Sequence, residues 1–224
     1  MKIYFNGCSW TFGEELENKR EERFSRLVCK VLDAEETNDS KAGGSNDRII
    51  RKMMYIDNFE EYDLAVIQMT YPARTEYWDK NTNEWIRVNP KYNFSRWLTH
   101  QNNDRVKHER ARVQNKEVSP FYARIDTLHK KFKNHGNHWM YHYKNVHTEH
   151  YSRVKERIQY ETIKSYCISK GVPLIICSIN EWSKLNFDFL LTTNRDTRAK
   201  KGHPNKLGHL EIANLIVNKW KTIK

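Results

Sequence analysis

Apolar positions fall into short runs separated by longer polar stretches, and their periods predict the elements. Residues 2–6 (KIYFN) read as a buried first strand, closed by Gly7. In REERFSRLVCKVL, Phe24, Leu27, Val28, Val31 and Leu32 recur at helical spacing. ETNDSKAGGSND is a loop by composition, with a short polar edge strand near its start. NDRIIRKMMYI predicts a helix opened by an Asn or Asp cap, with Ile49, Ile50, Met53 and Met54 on its apolar side. DLAVIQMT is the clearest strand, largely apolar as a strand covered on both faces must be, and Pro72 follows to stop it.

The last third repeats the alternation. From about His150 to Ser169 a helix is expected, with Val154, Ile158, Tyr160, Ile163 and Tyr166 or Cys167 inside, and Gly171 ends it. VPLIICSI reads as a second buried strand. NKLGHLEIANLIVNKW reads as a closing helix whose stripe is Leu210, Ala213, Ile216, Val217 and Trp220. Strands alternating with helices predict an α/β fold with a central parallel sheet and crossover helices. Residues 75–149 interrupt this order: the stretch is polar and rich in Trp, Tyr, Arg, Lys and His. It is expected to be an insertion of short helices and loops over one end of the sheet, within a single domain spanning 1–224.

Composition narrows the function classes. Hydrophobic residues are 38% of the 224 and charged residues 30%, so the core is confined to part of the chain. No apolar run approaches the roughly 20 residues a membrane span requires, and no signal peptide is recognisable, so a soluble protein without a secretory signal of the usual kind is expected. Four dispersed cysteines (Cys8, Cys29, Cys167, Cys177) form no CxxC pair and read as small core residues. A formal net charge of +11 permits nucleic-acid binding through the basic charge without favouring it, since any polyanion would serve. Eight of the ten histidines lie between His100 and His150, but HGNHWMYHYKNVHTEH fits no metal-ligand spacing, and no metal or organic cofactor is expected.

Ligands of an open parallel sheet gather at the carboxyl ends of its strands, and four chemistry-bearing segments map there. Ser9 follows the first strand in NGCSWTFG; Gly43, Gly44, Ser45 and Asn46 precede the second helix; Gln68 and Thr70 end the central strand; His203 sits in GHPNKLGH before the last helix. Alone, Ser9 reads as a small residue in a strand-to-helix turn. Beside an imidazole it becomes a nucleophile, and a glycine-rich turn supplies N–H donors for the oxyanion. Pro204 fixes the chain after His203, and Asn205 can cap the final helix. Arg74 and Glu76 are expected to pair at the rim, and Trp78, Trp85, Trp97 and Trp139 to fill space or stack on sugar or base faces.

A GxSxTxG segment near the start, a Gly-Gly-Ser-Asn loop, a QxTxPxR strand end and a late HPNxxGHxxIA together resemble the SGNH/GDSL hydrolases, most closely the divergent branch common in phage genomes. The resemblance covers about 1–76 and 150–224. It implies a flavodoxin-like three-layer sandwich and an ester hydrolase with Ser9 as nucleophile, His203 as base and Gly44 as a backbone oxyanion donor. The family's GxND is replaced by QMTYP, so Asn46 is the expected substitute donor, with Thr70 as a weaker one. The acid usually three residues before the histidine is replaced by Lys200. Asp196 in NRDTRAKKGHPN is then the candidate acid, the alternative being a Ser-His dyad oriented by a backbone carbonyl. The expected substrate is a small acyl ester or an O-acyl group on a carbohydrate. The competing expectation is a catalytically impaired binding or virion structural module that recognises glycan or nucleic acid.

Overall fold

In the computed structural model, the residues described are 1–80, 82–88 and 148–223. In chain order they form β1 (Lys2–Asn6), α1 (Ser9–Phe12), α2 (Lys19–Glu22), α3 (Phe24–Leu32), β2 (Glu35–Asn38), α4 (Asn46–Met54), β3 (Leu64–Met69), β4 (Thr75–Asp79), β5 (Glu84–Val88), α5 (Glu149–Ser169), β6 (Leu174–Ser178), β7 (Phe189–Leu190) and α6 (Lys206–Ile223). The chain divides into two compact units, Met1–Arg87 with Arg153–Lys224, and Val88–Ser152. Most of the second unit lies outside the described residues.

The first unit is built on a five-stranded sheet in the order β2-β1-β3-β6-β7, and every pairing in it is parallel. Counting only these strands, the order is the 2-1-3-4-5 of flavodoxin-like folds, with its switch point between β1 and β3. Successive side chains face opposite sides of a strand. Ile3, Phe5, Leu64 and Val66 therefore pack with Phe24 and Val28 of α3 and Ile212, Ile216, Val217 and Trp220 of α6. Tyr4, Ala65, Ile67 and Met69 pack on the other face with Ile49 and Met53 of α4 and Tyr160, Ile163 and Cys167 of α5. A sheet buried on both faces explains why β3 reads as an unbroken apolar run. The four cysteines are free and buried.

Several elements differ from the sequence expectation. Val154 and Ile158 of α5 are exposed, while Glu156 and Gln159 are buried. The N-terminal half of this helix faces polar groups beyond the strand ends: Glu156 accepts hydrogen bonds from Asn180 Nδ2 (2.8 Å) and Ser183 Oγ (2.9 Å). The expected stripe therefore fails at Val154 and Ile158 but holds at Tyr160, Ile163 and Cys167, which are buried. In α6, Leu210 is exposed and His209 and Ile212 are buried. The cap of α4 is Ser45, whose Oγ accepts from the Arg48 N–H at 3.2 Å, and Asn46 is the first helical residue. β7 has only two residues, too few to show a period.

The stretch 75–149 opens with strands rather than helices and loops, because TEYWD and EWIRV are rich in residues that suit a pleated surface. β4 is tied to α4 through Thr75 Oγ1 donating to Asp47 (2.6 Å) and through Arg51, whose Nε donates to Glu76 Oε1 at 2.6 Å. Glu76 thus pairs with Arg51 and not with Arg74, whose guanidinium lies over the Tyr71 ring. Trp78 and Trp85 meet edge to face at 5.6 Å and are half-exposed. Trp97 and Trp139, and the histidines from His100 to His147, lie outside the described residues.

Candidate active site

The first turn past β1 is held by unusually close packing. A Cβ on Gly7 would stand 2.2 Å from Thr11 Oγ1 and 2.8 Å from Gln68 Oε1, so only glycine fits there. Gln68, at the end of β3, accepts from the Cys8 N–H and from Thr11 Oγ1, both at 3.1 Å. The central strand thereby clamps the turn that carries Ser9, the first residue of α1. Gly13 then closes α1 in the left-handed conformation and reverses the chain. The Leu16 N–H returns to the Gly13 carbonyl, and Glu15 sits inside that turn at φ 71°, a conformation uncommon for a residue with a side chain.

The approach to α6 is fixed with similar care. Asn205 Oδ1 accepts from the Gly208 N–H at 3.0 Å and caps α6, as its position in HPN suggested. Its Nδ2 donates to the Asp196 carbonyl, and its N–H to the Thr197 carbonyl. A Cβ on Gly208 would stand 2.5 Å from the Thr197 oxygen, so helix and loop approach as closely as backbone allows. The Ala199 N–H donates to the His203 carbonyl at 2.7 Å, which holds the histidine's own backbone.

These two segments bring Ser9 and His203 together. His203 Nε2 lies 3.0 Å from Ser9 Oγ, and His203 Nδ1 lies 2.8 Å from Glu15 Oε2. Glu15 also accepts from the Lys201 N–H on Oε1 (2.7 Å) and from the His203 N–H on Oε2 (3.3 Å). Burial pushes its carboxyl upward, but the hydrogen bonds from the His203 ring and from the two backbone N–H groups outweigh it and hold the group below its usual range. The carboxylate on Nδ1 is therefore Glu15, not Asp196. Asp196 is exposed, and the contacts it makes run through its backbone: its N–H donates to Asn194 and its carbonyl accepts from Asn205. Sequence reasoning looked for a carboxylate beside the histidine, whereas the one in contact with the ring comes, through the chain reversal at Gly13, from beside the serine.

The expected oxyanion donors are rearranged. Asn46 is fully buried, and its Nδ2 donates to the Thr70 carbonyl and to Gln159 Oε1, both at 3.0 Å, while its Oδ1 accepts from the Thr70 N–H at 2.8 Å. Its amide is spent on splicing α4 to the end of β3, leaving no donor for a ligand. The Gly44 N–H donates to the Lys41 carbonyl at 2.8 Å and is likewise spent. Among the described residues, the N–H groups of Ser9 and Gly43 meet no acceptor. Thr70 Oγ1 is fully buried and also has no partner among them.

His209, one helical turn past His203, plays a packing role. Its Nδ1 accepts from the Phe24 N–H at 3.1 Å, and its ring stacks on Phe24. Burial pulls this imidazole down to about 4, so it stays neutral. No group of three or more metal-ligating side chains occurs among the described residues, and no helix among them is long and apolar enough to cross a membrane.

Comparison by sequence finds no matching family model and no matching curated protein. Solved structures do match over nearly the whole chain. One is a carbohydrate esterase whose active site displays divergent catalytic and non-catalytic binding functions (TM-score 0.52, 12% identity, 99% of this chain and 64% of that one). Others are the psychrotrophic esterase EstA from Pseudoalteromonas sp. (0.45, 13%, 99% and 98%) and a GDSL-like lipase from Bacteroides thetaiotaomicron (0.38, 13%, 100% and 89%). At these identities the likeness is one of fold. The chain has an α/β three-layer fold, which it shares with that carbohydrate esterase.

Proposed function

We propose that this chain is a serine ester hydrolase of SGNH type in which Ser9, His203 and Glu15 act as a catalytic triad. The observation that carries the reading is the continuous chain of contacts from Ser9 Oγ through both ring nitrogens of His203 to a carboxylate, at 3.0 and 2.8 Å. A serine hydroxyl becomes nucleophilic when an imidazole takes its proton, and a carboxylate on Nδ1 fixes the tautomer that leaves Nε2 free to do so. Ser9 Oγ attacks the acyl carbonyl as His203 Nε2 accepts its proton. The tetrahedral intermediate collapses, the leaving alcohol takes that proton, and water repeats the sequence to release the acid and restore Ser9. The donors offered to the oxyanion are the unspent ones: the N–H groups of Ser9 and Gly43 and the hydroxyl of Thr70.

The substrate proposed is an O-acyl group on a carbohydrate or a similar small acyl ester, an assignment supported by the carbohydrate esterase that shares the fold. The rival reading, a binding module with lost chemistry, draws on Lys200 standing in the acid position and on the missing GxND; Glu15 answers the first of these by offering a carboxylate to the ring. The test is turnover of short-chain p-nitrophenyl esters and labelling by a fluorophosphonate probe, for the parent, Ser9→Ala and His203→Ala. Both activities are expected to fall by about 10⁴-fold or more in either variant. A Ser9→Ala protein that cleaves the esters at the parent rate would refute the assignment.

A further inference from the structure

The loop at 41–44, between β2 and α4, carries an excess of positive charge that the hydrolytic chemistry does not use. Lys41 is exposed, and its Nζ has no carboxylate partner among the described residues. Arg87 donates to the Ala42 carbonyl, and its Nη1 lies 3.3 Å from where a Cβ of Gly43 would stand. It too has no carboxylate partner among the described residues. Arg48 Nη1 donates to the Asp39 carbonyl at 2.6 Å, and the Arg48 stem passes 3.9 Å from the Cβ position of Gly44. Among the described residues, Arg51 is matched by a carboxylate, that of Glu76, and Lys41, Arg48 and Arg87 form no ion pair. Burial, and after it the charges of Arg87 and Arg48, depress the Lys41 ammonium below its usual range, while Glu76 opposes the shift.

This loop adjoins the proposed catalytic centre. The Lys41 N–H donates to the Gly7 carbonyl at 3.3 Å, two residues before Ser9. Ala42 and Gly43 offer no bulk to block approach. Like charges held together are unfavourable unless a counter-charge arrives, and cations fixed beside a reaction centre draw anionic substrates to it. We propose that Lys41 and Arg87 bind a carboxylate on the alcohol side of the ester, making the preferred substrate an O-acylated acidic sugar. The inference rests on the hydrolase reading for its catalytic part, and its anion-binding part can be tested separately.

The experiment compares acetate release from the methyl glycosides of mono-O-acetyl galacturonic acid and mono-O-acetyl galactose at low and high salt, for the parent, Lys41→Gln and Lys41→Arg. At low salt the parent is expected to favour the acidic ester by about fivefold in kcat/KM, the upper end for one exposed ion pair. High salt and Lys41→Gln should erase most of that preference, Lys41→Arg should keep it, and the neutral ester should be cleaved equally by all three. Equal rates on the two esters, or an equal loss on both in Lys41→Gln, would overturn the proposal while leaving the hydrolase reading intact. Calorimetric titration of the Ser9→Ala protein with digalacturonate and with a neutral galactose disaccharide covers the case in which neither ester is cleaved. Selective, salt-sensitive binding of the acid that is lost with Lys41→Gln sustains the anion site. Failure to discriminate between the two disaccharides sinks it.

Discussion

The two rims of the proposed site are finished to different degrees. On the Ser9, Glu15 and His203 side, each side chain meets a partner at hydrogen-bond distance, and Glu15 alone gathers one ring nitrogen and two backbone N–H groups. On the glycine-loop side, the Ser9 and Gly43 N–H groups, the Thr70 hydroxyl and the Lys41 ammonium are without partners among the described residues. Buried polar groups in a folded protein are normally paired, so the unpartnered hydroxyl of fully buried Thr70 stands out, whereas Lys41 is exposed. On the proposed reading, the saturated side aligns its groups before substrate arrives, and the unsaturated side offers donors to the charge that the substrate and its transition state bring.

Breaking the saturated side should have the largest effect. Glu15→Gln keeps an acceptor for the Lys201 N–H but presents Nδ1 with a neutral group that can impose the wrong tautomer. The expected loss is about 10³- to 10⁴-fold in kcat with KM little changed. Glu15→Gly serves as a control for backbone strain. It removes the unfavourable φ of 71° yet also removes the carboxylate, so activity should fall as far as in Glu15→Gln. Steady-state kinetics that show either variant within threefold of the parent would exclude Glu15 from the triad.

The same contrast explains what the sequence disclosed. β3 and β6 were legible because both faces of the sheet are covered, and Ser9 and His203 because turn residues with strong local preferences surround them. Glu15 was not, since nothing local distinguishes it from Glu14: its role depends on a left-handed reversal at Gly13 and on a loop nearly 190 positions later in the chain. Asn46 misled for the opposite reason. Its place beside the glycine loop suggested a free amide, whereas Thr70 and Gln159 take both of its N–H donors. Gly44 was likewise in the right loop, but its N–H closes a local turn. Position along the chain locates a rim; which donors stay unspent is decided only by the tertiary hydrogen-bond count.

His209 gives a prediction of intermediate size, on stability rather than rate. Its folded value of about 4 lies below the 6.5 of a free imidazole, chiefly through burial. The unfolded chain therefore takes up a proton that the folded chain refuses, and stability falls as pH drops through the window from about 6.5 to about 4. The loss amounts to about 3 kcal/mol over that window. Glu15, held below its usual range, adds a further loss only at lower pH, as its carboxyl protonates. Urea unfolding at successive pH values should show a slope between 6.5 and 4 that is markedly reduced in His209→Gln. An unchanged slope would place the titration elsewhere.

The smallest expected effect probes the unsaturated side most cleanly. Thr70→Val replaces the hydroxyl with a methyl group, and among the described residues that hydroxyl has no partner to strand. Deleting an unpaired buried polar atom should leave stability unchanged or slightly raised, where deleting half of a hydrogen bond would lower it. If the hydroxyl donates to the oxyanion, kcat should fall by about 10- to 100-fold, less than for a rigid backbone or amide donor because a hydroxyl can rotate away. Thr70→Ser, which retains the donor, should recover most of the rate. Asn46→Ala is the matching opposite: it exposes no reserved donor but strips the Thr70 N–H and carbonyl of their partners, and should cost about 2–4 kcal/mol of stability. A Thr70→Val protein as active as the parent would mean that the buried hydroxyl is an unfilled vacancy in the packing and that the oxyanion is held by backbone alone.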